Sequence, residues 1–548
     1  MSLPEELKKV VRGEVDDSPE AREAASRDTS LYRVVPEVVV RPLDTPDVQA
    51  VVRYATEAKK KGTAISIVVR SAGTDMSGGP LGSSIILDMT RHFTRIIGVG
   101  DGYAVVEPGV YFRDFDKETK KKNLELPSYT ASREICTVGG MVANNSGGEK
   151  NLKFGKTARY VEELDVVGSD GQVHTFKNLE GDALAAKLKE PGFEGDLYRG
   201  VSEILQKHKA VIAEHAPSVG KNSSGYALWA IGDGVTKLNL ARLMVGAQGT
   251  LGIHTRIRFK LVQPKPYAAM TVVFLKDLTQ LASVIQRTLI REPDSFESYD
   301  DNTFTLATKY FPELALQMKL GLIKLGISFL PEVWMLLTGG IPKLVLMAEF
   351  RADTQEAALQ KATQLAAEIS AEHPAMKVRV APSEAAARKY WVIRRESFNL
   401  LRKKVRGKRT APFIDDFVVP PTKLPEFLPR LETILGKYDL MHTIAGHVGD
   451  GNFHIIPLMD PNRPDGREII EKMGKEVYDL VLEYHGSISG EHNDGYVRTP
   501  YVEQMFGSEM YALFNQIKKL FDPLNIFNPG KKVGSTYAES ATHLDLGN

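Results

Sequence analysis

The chain has 548 residues, room for several domain-sized cores at roughly 150 residues each. Hydrophobic residues make up 43% and charged residues 25%, which excludes wholesale disorder, and 70 Lys+Arg against 69 Asp+Glu leave no basic field of the kind that would make nucleic acid a partner. Its one cysteine, Cys136, excludes an internal disulfide framework, a multi-cysteine zinc site and a Cys-ligated iron–sulfur cluster.

The N-terminus, MSLPEELKKVVRGEVDD, is charged and lacks an apolar secretory core, so a cytoplasmic protein is expected. A helix follows from about residue 45: Thr45 caps it, Pro46 suits its first position, and Val48, Val51, Val52 and Ala55 form an apolar stripe. Short β-type runs then alternate with glycine-rich turns, at 64–69, 84–89, 103–110, 164–167 and 172–176, with Ser169-Asp170-Gly171 as a hairpin turn between the last two. Beyond about Lys265 the texture changes to strands at 270–275 and 343–350 and an Ala-rich helix at 355–373, the pattern of a second, α+β domain. The most apolar stretch, Leu325–Met347, is broken by Pro331, Glu332, Gly339, Gly340, Pro342 and Lys343, so it reads as a pair of short buried helices rather than a membrane span. The basic run Arg402–Arg409 reads as a solvated face, and docking of a membrane or partner is the lesser alternative for both segments. The tail after Gly507 is a helix stopped by Pro523.

Three glycine-rich segments follow β-type runs: Arg70-SAGTDMSGG-Pro80, Thr137-VGGMVANNSGG-Glu149 and Val245-GAQGTLG-Ile253. Glycine permits positive φ and close backbone approach, so successive N–H groups can converge on an anion, and three such loops rich in Ser, Thr and Asn suit a large phosphorylated cofactor. No G-x-G-x-x-G fingerprint is present, and Lys150 stands where the first glycine of a P-loop would precede Gly155-Lys156-Thr157. Both a Rossmann dinucleotide fold and a P-loop NTPase are thereby disfavoured.

Seven segments in order, RSAGTDMSGG, PSYTASREICTVGGMVANNSGG, KNSSGYAL, GAQGTLGI, AGHVGDGNFH, GSISGEHNDG and DPLNIFNPGKKV, run from Arg70 to Val533. Together they resemble the vanillyl-alcohol-oxidase-type flavoproteins, in particular the branch that oxidises D-2-hydroxy acids such as D-lactate, D-2-hydroxyglutarate and glycolate. The resemblance implies an α+β protein: a PCMH-type FAD-binding domain (1–265), an α+β substrate cap carrying a metal site (266–500), and a C-terminal segment (501–548) returning to the FAD domain. It implies FAD contacts from Ser71, Gly73, Thr74, Asp75, Ser77, Pro127, Thr137, Gly140, Asn144, Ser146, Gly147 and Ile253. Relatives with covalent FAD use a histidine of the first loop; Thr74 stands there, so dissociable FAD is expected.

His447 and His454 are seven residues apart, roughly 23 Å along a straight strand or roughly 10.5 Å along a helix. Neither spacing lets both reach one ion, whereas a turn at Gly449-Asp450-Gly451-Asn452 does. The resemblance supplies Glu491 as third ligand, giving a His₂Glu site for a divalent metal such as zinc with open positions for substrate. It also makes His492 the base near the substrate hydroxyl, a role that suits a side chain titrating near neutrality.

A substrate carboxylate needs a cation, and Trp391-Val-Ile-Arg394 resembles the family's clamp segment, with Arg395 as rival to Arg394. Relatives specific for 2-hydroxyglutarate carry a lysine where Ile414 stands, so a shorter acid such as lactate or glycolate is favoured over D-2-hydroxyglutarate. Residues 490–507 look more like large relatives bearing an iron–sulfur domain, and the chain stops at Asn548 without one, so a separate electron acceptor, a partner redox protein or a quinone, is expected. Two other readings stay open: an ether-lipid alkyl-transfer enzyme, whose run of consecutive histidines is missing here, and a flavin-free hydrolase using His447, His454 and Glu491.

Overall fold

Three β-sheets organise the chain in the computed structural model, which describes residues 2–309, 340–404 and 407–546. The first sheet holds β1 (Glu14–Asp16), β2 (Val38–Arg41), β3 (Ile67–Arg70) and β4 (Ile85–Asp88) in the order β1-β2-β4-β3, with β2 and β3 parallel to β4. β2 and β3 therefore run the same way on either side of β4, and α1 (Thr45–Lys60) makes the crossover between them. Its stripe Val48, Val51, Val52 and Ala55 is wholly buried in one core with Val38, Val40, Ile67 and Ile85. The cap differs from the expectation from sequence: Asp44, in extended backbone, accepts from the Asp47 N–H, and Thr45 is already in the first turn. A carboxylate one residue earlier reaches the free N–H groups, and its charge suits the helix N-terminus.

The second sheet is antiparallel: β5 (Ile96–Gly100), β6 (Tyr103–Val106), β7 (Val161–Val167), β8 (Val173–Glu180), β9 (Lys237–Asn239) and β10 (Ile253–Lys260), in the order β5-β6-β10-β7-β8-β9. The turn between β7 and β8 places Gly171 at φ +72°, a left-handed conformation cheap only for glycine. A short helix, α2 (Val138–Asn144), joins β6 to β7 by way of the second glycine loop.

The third sheet contains β11 (Tyr267–Leu275), β12 (Ser295–Asp300), β13 (Leu344–Ala352), β14 (Lys377–Ala381), β15 (Phe417–Val418), β16 (Ile444–His447) and β17 (Asn452–Ile455). Its order is β14-β11-β13-β12-β16-β17-β15. One face is covered by α3 (Leu281–Ile290), α4 (Gln355–Glu372), α5 (Leu424–Leu435) and α6 (Gly466–Glu483), whose apolar residues share one core with Leu346, Phe350 and Phe453. On the opposite face Met270, Val272 and Met347 pack with Tyr390, Trp391 and Ile393 of the helix Glu384–Lys404. The chain then returns to the first lobe. Helix α7 (Val502–Phe521), broken at Gly507, buries Phe506, Leu513 and Phe514 against the second sheet, and Ile526 and Phe527 enter the core of the first. The pair of short helices expected within Leu325–Met347 falls outside the described residues, as do the side chains of Arg402–Arg406 in the basic run Arg402–Arg409, while the end of the apolar stretch forms β13.

Candidate active site

The three glycine loops, with Glu491 and His492 of the loop 485–494, line one crevice. Of the residues expected to touch the cofactor, Ser71, Gly73, Thr74, Asp75, Thr137, Gly140, Asn144, Ser146 and Gly147 line it. Ser77, Pro127 and Ile253 do not; they are buried behind the lining. Asp75 folds the first loop: one oxygen accepts from the Ser77 N–H, the Ser77 hydroxyl and the Gly79 N–H, and the other accepts from Asn144 Nδ2. Both of its oxygens are thereby hydrogen-bonded within the protein. No lysine or arginine is among the described lining residues, so hydroxyls and backbone N–H groups would hold the phosphates. Gly139 lets the second loop pack directly on Pro108, since an added Cβ would lie 2.6 Å from its carbonyl oxygen. The lining thus fits FAD.

At the cap side of the same crevice stand Glu491 and His492. β16 ends in His447 and β17 carries His454; the tight turn between them, with Gly451 at φ +70°, sets the rings 5.3 Å apart, centre to centre. Glu491 Oε1 lies 3.3 Å from His447 Nε2 and 3.1 Å from His454 Nε2, so three donor atoms converge on one point. Each imidazole is backed through its other nitrogen: Glu297 Oε1 is 2.7 Å from His447 Nδ1, and Asp415 Oδ1 is 3.1 Å from His454 Nδ1. Carboxylate-backed histidines of this kind are the usual support of a metal ligand, because the partner fixes the tautomer and ring orientation. Burial opposes ionisation of Glu491, yet the Lys221 ammonium and the two imidazoles hold it well below the usual carboxylate range. Burial would also lower His454, but Asp415 outweighs it and raises the ring to about 10.

Asp415 serves two rings. Its Oδ2 lies 2.8 Å from His492 Nδ1, and the His454 and His492 rings stack at 5.1 Å. His492 Nδ1 thus faces Asp415 as an ion-pair contact without hydrogen-bond geometry, and Nε2 is its other nitrogen. Asp415, His454 and His492 also form a second group close enough to share an ion. Asp416 shapes the turn that presents the pair, accepting from the Glu491 and His492 N–H groups and the Ser489 hydroxyl. Sequence reasoning missed Asp415, Asp416, Glu297 and Lys221. The doublet in FIDDF was visible, but only the fold brings it beside residues 489–492. Lys221 is fully buried and donates to Asn452 Oδ1 and Glu491 Oε2. Lys156 donates to the Gly490 and Asn222 carbonyls and the Ser223 hydroxyl, and burial pushes it down to about 7.

The two arginines differ in what they have left to offer. Arg395 makes a two-pronged pair with Glu149 and lies over the Trp391 ring, and Glu149 is held down at about 2, burial notwithstanding, chiefly by that arginine. Arg394 Nε lies 2.7 Å from Glu297 Oε2 as an ion pair, and neither Nε nor the buried Nη2 is hydrogen-bonded. An unpaired buried guanidinium nitrogen is costly, and a substrate carboxylate would satisfy it.

Comparison with known proteins agrees with this architecture. The chain is 26% identical to a D-2-hydroxyglutarate dehydrogenase of Pseudomonas putida over 97% of its own length and 52% of the relative's, so it spans about half the length of the first such relatives it matches. It is 27% identical to the glycolate oxidase subunit GlcD of Bacillus subtilis, over 94% of this chain and 93% of that one. The solved 4-ethylphenol oxidase from Gulosibacter chungangensis shares the fold at 15% identity, with a TM-score of 0.69 over 98% of this chain and 97% of that one. Residues 36–177 match the FAD binding domain and residues 265–532 the C-terminal domain of FAD linked oxidases, so the chain belongs to the FAD-linked oxidases.

Proposed function

We propose that this protein is an FAD-dependent dehydrogenase that oxidises a short D-2-hydroxy acid, of the D-lactate or glycolate type, to the 2-oxo acid. The observation that carries the reading is one crevice lined both by the glycine loops and by Glu491 and His492. Bound FAD would supply the hydride acceptor, and a divalent metal, zinc by its ligand set, held by His447, His454 and Glu491 would polarise the substrate's hydroxyl. Arg394 binds the carboxylate through its unpartnered Nη2 and so fixes which face of the acid is presented. His492 takes the hydroxyl proton at Nε2, while Asp415 at Nδ1 stabilises the cation that forms.

A monocarboxylate is favoured because the other cations around the cluster are engaged: Lys221 by Glu491, Lys156 by carbonyls and Arg395 by Glu149. Ile414, buried in the cap core, supplies none. The electrons would pass to an acceptor outside these 548 residues, a redox centre or a quinone, because their single cysteine cannot ligate an iron–sulfur cluster. No helix of the described residues is long and apolar enough to cross a membrane, and we place the protein in the cytoplasm or peripherally on the membrane's inner face. The test is an anaerobic screen of D- and L-lactate, glycolate and D-2-hydroxyglutarate for bleaching of the flavin and reduction of an added dye. Bleaching by a short D-acid or glycolate is expected. A flavin that no 2-hydroxy acid bleaches overturns the reading, and selective bleaching by D-2-hydroxyglutarate overturns the choice of a short acid.

A further inference from the structure

Residues 149–156, directly after the second glycine loop, reach the cap at four places. Glu149 pairs with Arg395, and Asn151 Nδ2 donates to Asp450 Oδ1 at 2.9 Å. Lys153 Nζ donates to Asp294 Oδ1 at 2.7 Å, and Lys156 donates to the Gly490 carbonyl. Of the four, the Glu149 contact falls on the helix Glu384–Lys404, beside Arg394. Its geometry is a fork on a fork: Arg395 Nε lies 3.1 Å from Glu149 Oε2, and Nη2 lies 2.5 Å from Oε1. Such a pair fixes direction as well as distance.

Both ends of the pair are anchored. On the loop side, Glu149 Oε1 also accepts from the Tyr129 hydroxyl at 3.0 Å, and an added Cβ on Gly148 would run into the Tyr129 carbonyl oxygen. On the cap side, the Arg395 guanidinium lies 4.5 Å over the Trp391 ring, whose Nε1 donates to Glu349 Oε2 at 3.1 Å. Glu349 Oε1 in turn accepts from Arg351 Nε at 2.8 Å. Two carboxylates from different lobes thus face consecutive arginines, Glu297 of the cap sheet facing Arg394 and Glu149 of the loop facing Arg395. Consecutive side chains point about 100° apart around a helix, so the helix cannot roll or slide without breaking one contact. On the flavoprotein reading, the substrate lies between the loop-bound flavin and Arg394, and their separation decides the fit. We propose that Glu149 is a positioning residue: through Arg395 it sets where Arg394 stands relative to the glycine loops, and so how tightly the substrate carboxylate is held.

The inference rests on the proposed oxidation of a 2-hydroxy acid, and the test separates the two. Glu149→Gln keeps the size of the side chain and removes its charge. In the flavin- and metal-loaded enzyme, KM for the acid should rise about tenfold, because a displaced clamp loses part of its contact. The Kd of the 2-oxo acid, read from the shift it causes in flavin absorbance, should rise by the same factor. Turnover should stay within about twofold, since the contact is shared by ground and transition states. The deciding readout is the pair with Arg394→Ala: acting through Arg394, Glu149→Gln adds nothing in that background. Should thermal unfolding show that Glu149→Gln does not fold, Arg395→Met, which keeps the stack on Trp391 and loses the fork, is expected to show the same rise. Unchanged KM and Kd in a folded variant, or a further tenfold loss in the Arg394→Ala background, overturns the proposal. A wild-type flavin that neither a 2-hydroxy acid nor its 2-oxo acid perturbs overturns the functional reading instead.

Discussion

Glu297 holds Arg394 with one oxygen and His447 with the other: Oε2 lies 2.7 Å from Arg394 Nε, and Oε1 lies 2.7 Å from His447 Nδ1. One buried carboxylate therefore orients both the proposed substrate clamp and a proposed metal ligand. Burial favours its neutral form, but His447 and Arg394 together keep it below the ordinary carboxylate range.

Glu297→Gln keeps the shape and removes the charge. Metal affinity is expected to fall by about 10–100-fold, the usual effect of losing a ligand's supporting carboxylate. KM for the acid should rise in parallel, because Arg394 loses its anchor, and flavin content should not change. Metal titration and steady-state kinetics read the two effects separately. A variant with wild-type metal affinity and KM would show that Glu297 is only packing.

The cluster divides into ligands and base. His447→Ala, His454→Ala and Glu491→Ala should each lose bound metal and most activity while retaining FAD, since the glycine loops are built from other segments. His492→Ala should keep both metal and FAD yet lose about 10²-fold or more in turnover, the scale of a general base. Metal analysis of the four purified variants decides it. Metal loss in His492→Ala would instead place the ion among Asp415, His454 and His492, the alternative group that the geometry allows.

Much of this was legible in the chain. The run MTVVFL marks a strand because β-branched and aromatic residues dominate it, and the observed β11 contains it. The Ala-rich segment 355–373 lacks glycine and proline, and a helix runs from Gln355 to Glu372. The pairing of His447 with His454 followed from turn chemistry, since only a reversal brings them together. The supporting shell was not legible. Glu297 is 150 residues from His447 and Lys221 is 270 from Glu491, and no local period records such contacts. Asp415 and Asp416 look alike in sequence, yet one backs two imidazoles and the other caps the turn that presents them.

Stability should depend on pH through His174. Its Nδ1 lies 3.1 Å from Glu194 and its Nε2 3.1 Å from Asp170. Burial alone would lower the ring, but the two carboxylates raise it to about 9. A raised histidine stabilises the fold fully below its unfolded value of about 6.5 and loses that contribution as pH climbs through the folded value. Asp170 and Glu194 are both lowered, so their share is present above the ordinary carboxylate range and lost in acid. Thermal unfolding of wild type and His174→Gln should therefore differ most near about pH 6 and converge towards about pH 10. A gap that stays constant across that range would assign His174 to packing alone.

The flavin should leave the protein on denaturation. A covalent bond needs a nucleophile at the crevice wall, and three described lining residues could in principle provide one: Cys136, His254 and His492. Burial raises the Cys136 thiol, whose Sγ sits 3.5 Å from the Thr130 hydroxyl, so little thiolate exists to attack. His254 has Nε2 sealed away from any partner. His492 is turned to Asp415 through Nδ1 at the cap side, where the proposed chemistry needs its other nitrogen. The first loop itself offers Thr74, whose neutral hydroxyl is a weak nucleophile without an adjacent base. Acid precipitation should accordingly leave all FAD in the supernatant and a colourless pellet, read by absorbance and by the mass of the intact polypeptide. Flavin retained on the denatured chain would reverse this conclusion, and peptide mapping would then show which of the three side chains carries it.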